Sequence, residues 1–113
     1  MIGFPKKHRL SSKADFQFVF AKPHKIKHKS LVALYRANQK LYSRLGMVIS
    51  KSIIKRAIDR NRIKRIIRES FRSHHETLKG LDIIVLIRSE WCALDKKSLR
   101  EDIDQLWPSK RLT

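Results

Sequence analysis

Between Lys51 and Arg72 stand nine cationic side chains: Lys51, Lys55, Arg56, Arg60, Arg62, Lys64, Arg65, Arg68 and Arg72. Only Asp59 and Glu69 oppose them, which leaves these 22 residues with a net charge of +7. On a helical projection Arg60, Asn61, Lys64, Arg65, Arg68 and Arg72 share one broad face, beside an apolar face of Ile63, Ile66, Ile67, Ser70 and Phe71. A guanidinium can hold two phosphate oxygens at once and can stack on a base. Asn61 can donate and accept, so it suits a base edge or a 2′-hydroxyl. A merely solvated helix face mixes charge signs at i, i+4, because opposite pairs stabilise a helix. Here Arg60, Lys64 and Arg68 repeat at that spacing with one sign, which costs a few tenths of a kcal/mol per pair, on the order of 0.2–0.5. The spacing points to a polyanion outside the chain.

Side chains that could break bonds carry a weaker signal. Hydrolysis of a phosphodiester by protein groups needs an acid and a base within reach of one phosphate. The five histidines (His8, His24, His28, His74, His75) have no catalytic or metal-ligand spacing. His74 and His75 are adjacent, so on a helix they diverge by about 100°; the end of the basic helix suits them as cations. Cys92, the single cysteine, has no local activating group and reads as a passive thiol. Asp82, Glu90, Asp95, Glu101 and Asp102 lack paired carboxylate spacing, and Asp104 is expected to face solvent.

The elements that position the basic row follow from periodicity. Ser12 is an N-cap candidate with Asp15 three residues on, and Phe16, Val19 and Phe20 make one apolar stripe; this predicts a helix over Lys13–Ala21, stopped by Pro23. On this reading alone Phe16 and Phe20 are core. Pro23 to Lys29 can hold a short edge strand. Strands are expected within Ser30–Ala37 and Arg44–Lys51, with Asn38–Tyr42 as a hairpin turn between them. The basic helix spans Arg56 to about Ser73, with Gly80 marking its end region. Leu81–Arg88 is a nearly continuous apolar run, hence a central strand. Asp95 should cap a last helix whose buried stripe is Leu99, Ile103, Leu106 and Trp107, ended by Pro108. Helices interleaved with one small sheet argue for an α+β, two-layer α-β sandwich.

The whole chain extends the basic theme. Its 113 residues hold 27 Lys and Arg against 10 Asp and Glu, a formal charge of +17. With 42% hydrophobic residues it is globular rather than disordered, and the length fits a single domain, residues 1–113, with Met1–Leu10 as a flexible basic arm. Nucleic acid is the polyanion such a surface suits best. An anionic membrane is disfavoured, since the apolar face of the helix is needed for the core. A DNA-binding helix and a purely structural RNA binder stay open on composition alone. One cysteine excludes an internal disulfide and fits a reducing, cytoplasmic setting; no secretory signal is expected from the basic start.

The blocks in this order resemble the protein subunit of bacterial ribonuclease P. KRAIDRNRIKRIIRESFR (Lys55 to Arg72) is similar to that family's signature, with Arg60-Asn61-Arg62 at its centre. ADFQFVF (Ala14 to Phe20) resembles its first helix, Leu34-Tyr35 its aromatic strand position, RLGMVISK (Arg44 to Lys51) its third strand, and LDIIVLIR its fourth. The resemblance implies the order αβββαβα with a left-handed βαβ crossover, a fold of the kind found in the second domain of a small-subunit ribosomal protein. It implies an endoribonuclease holoenzyme that removes the 5′ leader of precursor tRNA, in which the RNA subunit and its magnesium ions perform hydrolysis. No catalytic or metal-binding residue is then expected in the protein. Carried across, Arg56, Arg60, Asn61, Arg62, Lys64, Arg65, Arg68 and Arg72 would face the catalytic RNA. Phe16, Phe20, Tyr35, Ser50 and Lys51 would line a cleft for the leader. Ser52 stands where many relatives have a second Lys, and Ile54-Lys55-Arg56 where some have Gly-Asn.

Overall fold

The computed structural model describes residues 6–88 and 96–108. A single 3-10 turn (Lys6–His8) precedes α1 (Lys13–Ala21), β1 (His24–His28), β2 (Leu31–Ala37), β3 (Arg44–Val48), α2 (Ala57–Ser73), β4 (Leu81–Ile87) and α3 (Lys96–Asp104). The α+β order αβββαβα is the expected one. The Ser12 hydroxyl accepts from the Asp15 amide at 3.1 Å, so the predicted cap starts α1. Cys92 and the Asp95 cap lie outside the described residues.

The four strands run β1-β2-β4-β3 across one sheet. β1, β2 and β4 are antiparallel neighbours, and β3 lies parallel to β4. Parallel neighbours cannot be joined by a tight turn, so α2 makes the crossover between them. This overturns the expected hairpin at Asn38–Tyr42: β4 separates β2 from β3, and the connection spans it. Gly80 opens β4 rather than closing α2. Its φ of +84° suits glycine, and its carbonyl accepts from the Asn38 amide at 2.8 Å.

Strand alternation sends Leu31, Ala33, Leu45, Ile83, Val85 and Ile87 to one face, where α2 and α3 cover them. All five apolar-face positions predicted on α2 are buried, as are Leu99, Ile103, Leu106 and Trp107. Asp104, expected in solvent, instead joins these helices: it accepts from the Ser70 hydroxyl and pairs with Arg100 at 3.1 Å. Trp107 Nε1 donates to Ser70 Oγ at 2.7 Å, which satisfies the indole in the core.

The other face carries α1. Val19 is fully buried with Leu10 and Ile84, and Phe16, Leu34 and Leu86 pack around them. Beneath α1 lies a buried ion pair that the sequence pattern does not reveal. Arg44 donates from Nε to Asp82 Oδ1 at 2.8 Å and from Nη2 to Oδ2 at 2.6 Å. Asn38 adds a third bond to Oδ1 at 2.8 Å. Arg44 also reaches Asp15 of α1 at 3.4 Å, so one guanidinium ties β3, β4 and α1 together. The expected basic arm is partly docked as well. The Leu10 amide donates to the Leu45 carbonyl at 2.9 Å, Arg9 bridges the edge of β3, and His8 Nδ1 lies 2.8 Å from the Ser43 carbonyl. Burial of Leu10 supplies the driving force.

Candidate nucleic-acid interface

α2 presents its core residues to the sheet and its cations away from it. Asp59 in the first turn and Arg72 in the last suit the helix dipole. Along the outer side, Asn61 and Arg65 are exposed, and Lys64, Arg68 and Arg72 are half-buried. Among the described residues no carboxylate pairs with Lys64, Arg65 or Arg68. Partial burial, and then the like charges of Arg9 and Arg72, hold the Arg68 guanidinium below the usual arginine pKa. Among the described residues, Lys64, Arg65 and Arg68 thus form a positively charged stretch with no paired carboxylate.

The central triplet does not leave α2 in one direction. Successive helix residues are turned by about 100°, so Arg60 and Arg62 leave in different directions from Asn61. Arg60 Nη1 donates to the Ile54 carbonyl at 2.8 Å and the Lys55 carbonyl at 2.9 Å. It fastens the loop entering α2 through this one nitrogen. Arg62 and Arg56 both approach Asp59, at 3.4 and 3.8 Å. Their side chains are 42% and 74% exposed, and such surface pairs are worth no more than about 1 kcal/mol.

On the opposite sheet face, Phe16 and Phe20 stand one helical turn apart, with ring centroids 6.2 Å apart and planes at 43°. Phe20 is 45% exposed and Phe16 half-buried. Together with Leu34, Leu86 and the exposed Val48 they form an aromatic wall over an apolar floor. Ser50 and Lys51 leave the end of β3. The Ser50 hydroxyl lies 2.6 Å from that of Ser52 and accepts from the Ser52 amide, so Ser52 shapes this turn in place of adding charge. Lys51 is exposed.

Tyr35 is not brought to this wall. It packs against the α2/α3 side of the sheet and stacks on His24 at 5.3 Å. The strand period of two places Leu34 and Arg36 on the α1 face and Tyr35 on the other, so the assignment of Tyr35 to the cleft is corrected.

Gly46 and Arg9 are the site residues that sequence reasoning missed. A Cβ on Gly46 would lie 2.8 Å from Phe16 Cζ and 3.1 Å from Leu10 Cβ. Its glycine within RLGMVISK was the available signal for a close approach. Gly46→Ala should displace the Phe16 ring and lower stability by about 1–3 kcal/mol, the usual cost of overpacking; an unchanged unfolding midpoint would show that the ring moves freely. Between Phe16 and α2 runs a groove of about 210 Å³, with Gly46 and Met47 along it and Lys64 and Arg68 on its far side. The aromatic wall and these cations thus meet in one depression at the edge of β3. Arg9 lines it too.

Among the described residues, no three His, Cys, Asp or Glu side chains converge in a metal-binding arrangement. Among the same residues no helix is long and apolar enough to cross a membrane.

The family model described as Ribonuclease P matches residues 4–111. The ribonuclease P protein component of Chromohalobacter salexigens is 44% identical over 106 residues, covering 93% of this chain and 83% of that protein. That of Yersinia enterocolitica is 39% identical, covering 94% of this chain and 89% of its own length. In backbone, the RNase P protein of Staphylococcus aureus superposes with a TM-score of 0.78 at 30% identity, over 88% of this chain and 91% of that one. Agreement over nearly the full length in sequence, and in the αβββαβα backbone as well, makes this chain a member of the ribonuclease P protein family.

Proposed function

We propose that this chain is a single RNA-binding domain serving as the protein subunit of a cytoplasmic ribonuclease P. It docks on the catalytic RNA through α2 and holds the single-stranded 5′ leader of precursor tRNA against Phe16 and Phe20. Hydrolysis belongs to the RNA and to magnesium ions held there. The protein's part is to bind, orient and neutralise. The observation that carries this reading is the groove that joins Phe16 to Lys64 and Arg68, with no carboxylate paired to either cation among the described residues.

The division of labour follows from the side chains. Lys64, Arg65, Arg68 and Arg72, with Asn61 between them, supply phosphate contacts that release condensed counterions and give affinity without sequence preference. Arg56 and Arg62 join by releasing Asp59, while Arg60 keeps the loop in place. Leaders differ among tRNA precursors, and an aromatic wall accepts any base by stacking, at roughly 1–3 kcal/mol per base. Ser50 and Lys51 stand where the strand enters, Lys51 as a phosphate partner and Ser50 as the anchor of its turn.

The test is reconstitution with the cognate catalytic RNA, with precursor and mature tRNA compared. Phe20→Ala removes an exposed ring that is not part of the buried core. It should raise the Kd for leader-bearing precursor by roughly five- to a hundredfold and leave mature tRNA unaffected. Equal losses for both substrates would refute leader contact, and absence of any stimulation of leader cleavage by the wild-type protein would refute the subunit assignment.

A further inference from the structure

A second cationic groove lies on the other flank of α1. It encloses about 630 Å³ and is lined by Phe18, Lys22, His24, Arg36 and the end of β2 from Ala37 to Gln39. Phe18 is turned by about 200° on the helix from both Phe16 and Phe20, so this groove opens away from the aromatic wall. Among the described residues, no acidic one lines it.

Arg36 gives the groove its character. Its Nη1 donates to the Phe18 carbonyl at 2.6 Å, and its guanidinium carbon sits 3.9 Å from the centroid of the Phe18 ring. Two independent contacts thus fix the plane of the guanidinium. Its cross-strand neighbour Asp82 is fully buried and already bonded to Arg44 and Asn38. Among the described residues, no carboxylate pairs with Arg36. One N–H faces the carbonyl, and further donors on the same planar group are held in place beside the exposed Lys22, while the His24 ring stacks on Tyr35 on the other sheet face. A pre-ordered arginine loses little freedom on binding, and its fixed fork matches a phosphate.

We infer that Arg36 and Lys22 form a second phosphate-docking site, occupied by the catalytic RNA on the flank of α1 opposite the leader wall. This rests on the function proposed above and adds a surface to it. Charge complementarity selects RNA. The fixed guanidinium suits a phosphate held by a folded RNA better than a leader that changes with each substrate. The position leaves the groove available while the leader lies against Phe16 and Phe20.

Binding of the full chain to the catalytic RNA alone, without substrate, tests this across a salt series. Arg36→Gln and Lys22→Glu should each weaken binding roughly tenfold and lower the salt slope by about one. The ratio of affinities for precursors with and without a leader should not change. Lys22→Glu guards against a folding artefact, because Lys22 is exposed and outside α1. If both variants bind the RNA as wild type while replacement of Lys64, Arg65 and Arg68 abolishes binding, this inference fails alone. If that triple replacement also has no effect, the underlying reading fails. A loss confined to leader-bearing precursor would assign the groove to the leader and overturn the inference.

Discussion

Asp82→Ala should lower the stability of the protein by about 3–5 kcal/mol, the range found when one partner of a buried ion pair is removed. Domains of this size have a total stability of only about 5–15 kcal/mol, so the variant should be largely unfolded or strongly shifted in a denaturant titration. The cause is the set of three bonds to a carboxylate with no solvent exposure: two from Arg44 and one from Asn38. The Asp82 hydrogen bond is the largest influence on the Arg44 guanidinium and raises its pKa above the usual value. Without Asp82, Arg44 is left half-buried with only Asp15 at 3.4 Å, and Asn38 loses an acceptor. Arg44→Ala makes the complementary defect, a buried carboxylate with only Asn38. The double variant should lose less than the sum of the two singles, because each single strands a charge that the double removes. A loss below about 1 kcal/mol for Asp82→Ala would mean that water reaches the pair. The consequence reaches the leader wall as well, since the same guanidinium anchors Asp15 and with it α1.

How much of the molecule is legible in the sequence depends on which interaction decides each feature. α1 lies between a local cap at Ser12 and a local stop at Pro23, and both act within a few residues. The buried stripe of α2 follows from the 3.6-residue period, and the central place of β4 from an apolar run covered on both faces. Strand order is a long-range property. Asn38–Tyr42 has hairpin chemistry, yet β4 pairs with both neighbours because its apolar side chains gain most from the middle of the sheet. The misplacement of Tyr35 has a related cause. Leu34 and Tyr35 are adjacent and both suit a buried face, so alternation alone does not choose between them. The basic row is visible as a row, but the separate duty of Arg60 depends on where the Ile54 and Lys55 carbonyls come to rest. Asp82 reads as a strand-edge carboxylate until Arg44, 38 positions away, is placed beside it.

Replacement of Lys64, Arg65 and Arg68 together by Ala should have the second large effect, and its two readouts should move independently. Each phosphate that loses its cation lowers the slope of log affinity against log salt by about 0.7–0.9. Three such phosphates therefore remove roughly 2–3 units, and at roughly tenfold per charged group the affinity for the catalytic RNA falls about a thousandfold. Stability should not follow. None of the three pairs with a carboxylate among the described residues, and Arg68 is held below the usual arginine pKa by burial and by Arg9 and Arg72. Removing crowded like charges relieves repulsion, and Ala is a strong helix former. Truncation of the half-buried side-chain stems acts the other way, because their packing goes with them, so the unfolding midpoint should stay within about 0.5 kcal/mol of wild type, as for surface changes generally. A variant that folds as before and no longer assembles locates the binding energy in these three groups. If the RNA is bound with unchanged affinity and unchanged salt slope, the outer side of α2 is not the interface; if the variant unfolds, these cations serve the fold and their charge has no external partner to answer to.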